Sequence, residues 1–286
     1  MCGICGELST NGAADVAVVA RMNETMRDRG PDGGGVWSQG RVAFGHRRLK
    51  IIDLSEHAAQ PMSDPELGLT IVFNGCIYNY PALREELIGA GYRFFSTSDT
   101  EVLLKAYHRW GDDFVDRLKG MFAFCIVERD SGRAVLGRDR LGIKPLYLAE
   151  TGTSLRFAST LPALLAGGGI DTSIDPVGLH HYMMFHAVVP APNTIFRGVR
   201  RLPPATLLTI EPDGTRKTRE YWNPSFTRDT THDDMSPQDW EDAVLDALRV
   251  AVERRMVADV PVGVLLSGGL DSSIIVGLLA ELGQKD

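Results

Sequence analysis

The chain begins Met1-Cys2-Gly3-Ile4-Cys5-Gly6. Removal of the initiator methionine would leave Cys2 as the N-terminus, with its thiol and a free α-amino group on one residue. An α-amine has an unperturbed pKa of about 7.7–8.0, so near neutral pH part of it is unprotonated and can take the thiol proton, directly or through water. That pattern is a nucleophile beside its own base. The opposing reading is a small residue after a start codon, and six residues leave both open. Cys2 and Cys5 also form a C-x-x-C spacing, which could be half a zinc site or a redox pair. A structural zinc needs two further ligands, whereas Cys76 and Cys125 stand alone and the seven histidines show no HExxH or H-x-x-x-H pairing. A redox pair would follow a strand and open a helix, and no strand precedes position 2.

The second chemical signal lies near the other end. Residues 260–266, VPVGVLL, read as a buried strand. Ser267, Gly268, Gly269, Leu270, Asp271, Ser272 and Ser273 read as a loop, and a helix is expected from Ile274 to Leu279. A strand, a Gly/Ser loop and a helix aim backbone N–H groups and the positive helix end at one point, which is how phosphate is cradled. An ordinary βα turn is the alternative. No Gly-Lys-Ser/Thr follows, so Walker-type chemistry is disfavoured.

Elements of two kinds must position these groups. Residues 69–73, 121–127 and 146–148 are short runs rich in β-branched or aromatic residues, and 128–133 reads as a hairpin turn leading into 134–136. Tyr80, Leu83, Leu87 and Ile88 share a helical face after Asn79, and Val102, Leu103, Ala106 and Tyr107 share another after Asp99. Sparse alternation of strands and helices predicts antiparallel sheets with helices packed outside them, an α+β arrangement. From Asn223 to Gln238 the sequence is polar, with Phe226 and Met235 its large apolar residues, which places a connection at 223–238 between domains spanning 1–222 and 239–286. Ser236-Pro237-Gln238-Asp239 then reads as a capped helix start, with Trp240, Ala243, Val244, Ala247, Leu248 and Ala251 on one apolar face.

Composition bounds the function classes. The 286 residues are 44% apolar and 23% charged, as in a globular protein with one large or two smaller cores. A net charge of −7 disfavours nucleic acid and anionic membrane surfaces as partners. The N-terminus lacks a basic region followed by an apolar stretch, and no run approaches a membrane span, so a cytoplasmic location is expected.

Eight segments fall in one order along nearly the whole chain: MCGICGEL, RGPDGGG from Arg29, GHRRLKIID from Gly45, NGCIYNY from Asn74, STSDTE from Ser96, GRDRLGIKPLYL from Gly137, PNTIFRGVRRLPPA from Pro192 and LSGGLDSS from Leu266. Together they resemble the glutamine-dependent asparagine synthetase family. The resemblance implies a class II glutamine amidotransferase domain with the N-terminal-nucleophile αββα sandwich, followed by the start of an α/β ATP-pyrophosphatase-like synthetase domain. The stretches around RGPDGGG, GHRRLKIID and NGCIYNY look most like the branch that amidates N-acetylglutaminylglutamine, an osmolyte precursor. Aspartate, as in asparagine synthetases, is the alternative acceptor.

Matched position by position, the resemblance gives Cys2 the attack on the glutamine side-chain amide. It gives Asn74 and the Gly75 N–H the oxyanion hole, Arg48 the substrate α-carboxylate and Asp99 the α-ammonium. Relatives usually carry Glu where this chain has Cys76, so weaker glutamine binding is expected. Leu265 matches a nucleotide contact, and residues 267–273 match the pyrophosphate loop. ATP and Mg2+ are implied for the ligase step, with Asp271 the one metal ligand in view, and the glutaminase step needs no cofactor. A homodimer is compatible with the resemblance. Read singly, Arg48 could be a surface arginine, Asp99 a helix cap and Asn74 a turn residue. RGPDGGG reads as a structural glycine loop, and Arg138, Asp139, Arg140 and Lys144 as structural pairing partners. Related synthetase domains continue well past the phosphate loop, so these 286 residues are expected to hydrolyse glutamine without forming an amide. A non-catalytic binding module is the competing reading from another class.

Overall fold

The structure is a computed structural model and is described over residues 1–283. It divides into two compact units, Met1–Asn223 and the residues from Pro224 on. In chain order the first unit contains β1 (Gly3–Ser9), α1 (Val16–Glu24), β2 (Gly33–Gln39), β3 (Val42–Arg48), β4 (Met62–Asp64), β5 (Leu69–Ile77), α2 (Tyr80–Gly89), α3 (Asp99–Trp110) and α4 (Phe114–Arg117). It continues with β6 (Gly120–Glu128), β7 (Ala134–Arg138), β8 (Tyr147–Thr151), β9 (Ser154–Ala158), α5 (Leu161–Ala166), α6 (Pro176–Met184), β10 (Arg200–Arg201), β11 (Thr206–Ile210) and β12 (Arg216–Glu220).

The strands form two antiparallel sheets, ordered β10-β8-β9-β1-β3-β2 and β12-β11-β7-β6-β5-β4. Their inner faces meet in one core, where Ile4, Leu8 and Phe44 pack against Val72, Cys125 and Leu136. The outer face of the first sheet is covered by α1 and α5 through Val19, Met22 and Leu164. The outer face of the second is covered by α2, α3 and α4 through Leu83, Leu87, Val102, Leu103 and Phe114. The layers run helix, sheet, sheet, helix, an α+β sandwich in which each sheet buries both faces.

Several local expectations change in the folded chain. The glycines of residues 33–35 are strand rather than loop, because β2 pairs with β3 from Gly33 opposite Arg48 to Gln39 opposite Val42. They permit close crossing of backbones: a Cβ on Gly35 would lie 2.7 Å from the Gln60 carbonyl oxygen. On α2, Leu83 and Leu87 are buried while Ile88, one step round the helix, faces solvent.

The second unit contains α7 (Pro237–Arg255) and α8 (Leu270–Glu281). Ser236 and Asp239 close a capping box at the start of α7. Leu245, Leu248, Val252 and Met256 pack on Ile275, Leu278 and Leu279 of α8, whereas Trp240 and Val244 of the expected apolar face are exposed. One partner helix covers one stripe of α7, and those two residues lie outside it. Residues 260–266 form no strand, and Leu265 and Leu266 are exposed. A strand forms only when a neighbour takes its N–H and C=O groups, and among the described residues none pairs with this segment. The helix after the glycines begins at Leu270, so Leu270 to Ser273 are its first turn rather than loop. Among the described residues no helix is long and apolar enough to cross a membrane.

Candidate active site

Cys2 immediately precedes β1, and the pairing of Gly3 with Arg47 sets it beside the end of β3. Its Sγ lies 3.4 Å from the Leu49 N–H and 3.5 Å from the Leu49 carbonyl oxygen. Arg29 Nε donates to the Cys2 carbonyl at 2.8 Å, a contact that sequence reasoning did not find. Cys5, three residues along the strand, points to the opposite face, under α1, with its Sγ 3.7 Å from the Val19 carbonyl oxygen. The C-x-x-C pair therefore does not converge. All four cysteines are free, and among the described residues no cluster of His, Cys, Asp and Glu is arranged to hold a metal.

Burial pushes the Cys2 thiol above its ordinary value, while the Leu49 N–H, the N-terminal ammonium and Arg48 pull it back. Burial also lowers the Met1 α-amine, opposed by Cys2 and Asp32 and helped by the positive charges of Arg29 and Lys144. Desolvation drives Cys5 far up and leaves it an inert thiol. His46 is fully buried with Nε2 3.2 Å from the Phe73 carbonyl oxygen, and burial pushes its imidazole down to about 3, so it stays neutral.

The end of β5 supplies the facing wall. Asn74 alternates with Phe73, so its side chain enters the space between the sheets, where Nδ2 lies 3.5 Å from Ser159 Oγ. That hydroxyl also accepts the Ile4 N–H at 3.0 Å. Gly75 stands opposite Phe122 of β6, whose own N–H and C=O are taken on its far side by Asp139. The Gly75 N–H therefore projects away from β6, on the same edge as the N–H groups of Phe73 and Ile77. Phe73 donates to Gln60 Oε1 at 2.7 Å and Ile77 to Asp99 Oδ2 at 3.0 Å, which leaves the Gly75 N–H between them. No larger residue fits here, since a Cβ would lie 2.3 Å from the Met121 carbonyl oxygen.

Asp99 is the first residue of α3 and is buried. Ser98 is the helix cap, its Oγ accepting the Glu101 N–H at 3.2 Å. The helix starts one residue earlier than the sequence suggested, so the Asp99 carboxylate is free to reach β5 instead of capping α3. Burial pushes its carboxyl up to about 7, opposed by the Ile77 and Thr100 N–H groups and by Arg48. Arg48 is buried rather than on the surface, donating to the carbonyls of Ser55 (2.7 Å) and Asp53. Asp53 holds a left-handed backbone, φ 54°, and its carboxylate accepts from Ser55 and from the Thr97 N–H at 2.7 Å. One turn thus joins the Arg48 and Asp99 segments. Lys105, with Asp64 at 2.7 Å and Glu101 at 3.1 Å, fastens α3 to β4.

GRDRLGIKPLYL divides in two. Asp139 accepts the N–H groups of Phe122, Leu141, Ile143 and Lys144, and Arg138 donates to the carbonyls of Gly142, Lys144 and Leu202. Arg140 donates to the Asp116 carbonyl. Those three are structural. Lys144 departs from the expected pairing: its buried ammonium lies 3.2 Å from Met1 Sδ and forms no ion pair among the described residues. Cys76 projects from β5 on the same face as Asn74, and burial, with Asp99 adding to it and Lys144 opposing, pushes its thiol up to about 12.

In the second unit, Gly268 adopts φ 83° and Gly269 is the N-cap of α8. Ser267 Oγ lies 3.1 Å from Ser272 Oγ, and the Ser272 and Ser273 hydroxyls donate to the Gly269 carbonyl. Nothing lies within 4 Å of a Cβ placed on Gly268, so the mouth of the helix is open. Asp271 sits in its first turn.

Comparison with known proteins agrees with this fold. The family model described as glutamine amidotransferase domain matches residues 1–222, and that described as asparagine synthase matches residues 243–286. Glutamine-hydrolyzing asparagine synthetase 1 of Bacillus subtilis is 39% identical over 285 residues, covering 98% of this chain and 44% of that protein. Asparagine synthetase 3 of the same organism is 38% identical over 290 residues, covering 100% of this chain and 46% of that protein. The chain thus spans less than half the length of these relatives. Glutamine phosphoribosylpyrophosphate amidotransferase from B. subtilis, solved with ADP and GMP, shares the fold at TM-score 0.56 and 19% identity, over 77% of this chain and 49% of that one. The chain belongs to the glutamine amidotransferase domain family, in the form that glutamine-hydrolysing asparagine synthetases share.

Proposed function

We propose that the first unit hydrolyses glutamine at Cys2 and that the ammonia serves an ATP-dependent amidation of a carboxylate in the whole protein. The observation that carries the first half is the spacing along the β5 edge. The Gly75 N–H and the Ile77 N–H held by Asp99 are two residue steps apart, with Cys76 between them, a span of about 6.8 Å at ordinary strand rise. A glutamine laid along that edge reaches about 5 Å from its amide carbon to its amine across four bonds. Its amide oxygen then meets Asn74 and Gly75 while its ammonium meets Asp99, and Arg48 takes the α-carboxylate. Cys2 Sγ attacks the amide carbon, its proton passing to the α-amine left by removal of Met1. The α-ammonium gives that proton to the departing nitrogen as the oxyanion collapses, so ammonia leaves and a thioester remains, which water, deprotonated by the same amine, cleaves to glutamate and the free thiol.

The chemistry of residues 265–273 fits a phosphate group. The start of α8 presents backbone N–H groups at an open mouth, and its glycines place no Cβ in the way. ATP with Mg2+ would be held there, supplying activation of an acceptor carboxylate. N-acetylglutaminylglutamine is the first acceptor we assign, on the stretches around RGPDGGG and NGCIYNY; aspartate is the second, favoured by the names of the relatives.

Glutamate release by the processed chain tests the glutaminase half. Cys2→Ala is expected to abolish it and Cys5→Ala to retain most of it, since the Cys5 thiol is packed under α1 away from the site. Equal loss in both, with bound zinc, would overturn the assignment. Acceptor-dependent pyrophosphate release by the full-length protein, with each acceptor in turn, tests the second half.

A further inference from the structure

The loop between β7 and β8 is built to aim one side chain. Asp139 gathers three loop N–H groups and the Phe122 N–H, and Arg138 gathers three carbonyls, so the backbone of Lys144 is held at its N–H by Asp139 (2.9 Å) and at its carbonyl by Arg138 (2.8 Å). From that fixed base the side chain runs inward, is 96% buried, and ends 3.2 Å from Met1 Sδ. Burying an ammonium is costly unless something nearby uses its charge. Asp139 spends its oxygens on N–H groups, and among the described residues no carboxylate forms an ion pair with Lys144. Position 76, on the adjoining face of β5, carries a thiol. Removal of Met1 would take away the Met1 sulfur contact and leave the ammonium facing the Cys2 amine and thiol.

We propose that Lys144 is a positioning residue of the Cys2 site, its unneutralised ammonium favouring the deprotonated forms of both the Cys2 thiol and the Cys2 α-amine. An opposite charge nearby favours a thiolate, and a like charge nearby favours a neutral amine, so one cation drives both halves of the nucleophile and base pair in the useful direction. Cys76 is part of the device, because a carboxylate there would pair with Lys144 and cancel it. The other charges facing Cys2 are the Met1 ammonium, Arg48, Asp99 and Arg29, with Asp32 facing that ammonium and opposing its deprotonation, and those facing Lys144 are Arg29 and Asp139. The electrostatic directions agree, since burial lowers Lys144 with Arg29 adding to it, while Cys2, Asp139 and Cys76 hold it up.

The inference rests on the glutaminase reading for its purpose, and its test does not need glutamine. The rate of Cys2 alkylation by iodoacetamide, followed by peptide mass from about pH 6 to about pH 11.5 on the processed chain, reads the thiol directly. Lys144→Met is expected to move the midpoint up by about one unit and Lys144→Arg to leave it in place. Cys76→Glu keeps Lys144 and is expected to raise the midpoint as well, which serves if Lys144→Met does not fold. An unmoved midpoint in folded Lys144→Met, or in Cys76→Glu where the first variant is unfolded, would overturn the proposal. A shifted midpoint in a protein that releases no glutamate would support this role for Lys144 and count against the glutaminase reading alone.

Discussion

Asn74 Nδ2 and Ser159 Oγ lie 3.5 Å apart, and the same hydroxyl accepts the Ile4 N–H at 3.0 Å, so one serine ties the strand after Cys2 to the strand that carries Asn74. Asn74 belongs to the second sheet and Ile4 to the first. Ser159→Ala frees the Asn74 amide to rotate without touching the groups at the charged ends of glutamine. Turnover of glutamine is expected to fall about tenfold, equivalent to about 1.4 kcal/mol, with the Michaelis constant little changed. Steady-state kinetics check this, and unchanged turnover would remove Ser159 from the site.

Gly75 has no room for a side chain. A Cβ would lie 2.3 Å from the Met121 carbonyl oxygen and 2.8 Å from Phe122 Cα, both backbone atoms of β6. Gly75→Ala must push β5 and β6 apart, and a loss of about 1–3 kcal/mol of stability is expected, with glutaminase activity falling too. Denaturant unfolding and glutamate release measured together would show whether strand separation and loss of activity go hand in hand.

Arg48 and Asp99 are assigned to opposite ends of the substrate, and Asn74 to its reacting oxygen. Removing either charge leaves one substrate charge unpaired, about 1.5–3 kcal/mol for a charged hydrogen bond, so Arg48→Ala and Asp99→Ala should act mainly on the Michaelis constant. Asn74→Ala should act mainly on turnover, because its donor matters most when charge develops on oxygen. A large turnover loss with an unchanged Michaelis constant in Arg48→Ala would contradict the assignment.

The Asp99 carboxyl, raised by burial to about 7, makes glutamine binding depend on pH. Below that value the folded protein holds a proton that must leave before the carboxylate can pair with the substrate ammonium. The Michaelis constant is therefore expected to rise up to tenfold per unit as pH falls below about 7, and to level off above it. The stability effect has the opposite slope. The folded state binds a proton that the unfolded chain has released between about pH 4 and 7, so the contribution of Asp99 to stability declines as pH rises through that window. Asp99→Asn is expected to flatten both profiles. A Michaelis constant that stays level from pH 5.5 to 8 in the wild-type chain would show that Asp99 is already ionised.

Some of this molecule is written locally. The chemistry available to Cys2 follows from residue type and position, and β5 and α3 follow from β-branched runs and helical spacing, all within a dozen residues. The capping box at Ser236 and Asp239 is equally local. What tertiary structure decided involves partners far apart in the chain. Ser159 meets Ile4 across 155 positions and Asn74 across 85, Arg29 finds the Cys2 carbonyl across 27, and Lys144 reaches Met1 across 143. No spacing rule reports such contacts. The same limit explains the misreadings: VPVGVLL has a strand's composition, yet a strand exists only where another chain segment takes its hydrogen bonds, and glycines 33–35 form one because β3 does. Asp99 shows the boundary at its finest. Its neighbour Ser98 caps the helix, and the carboxylate is left for β5 because the fold brings Ile77 within 3.0 Å of it.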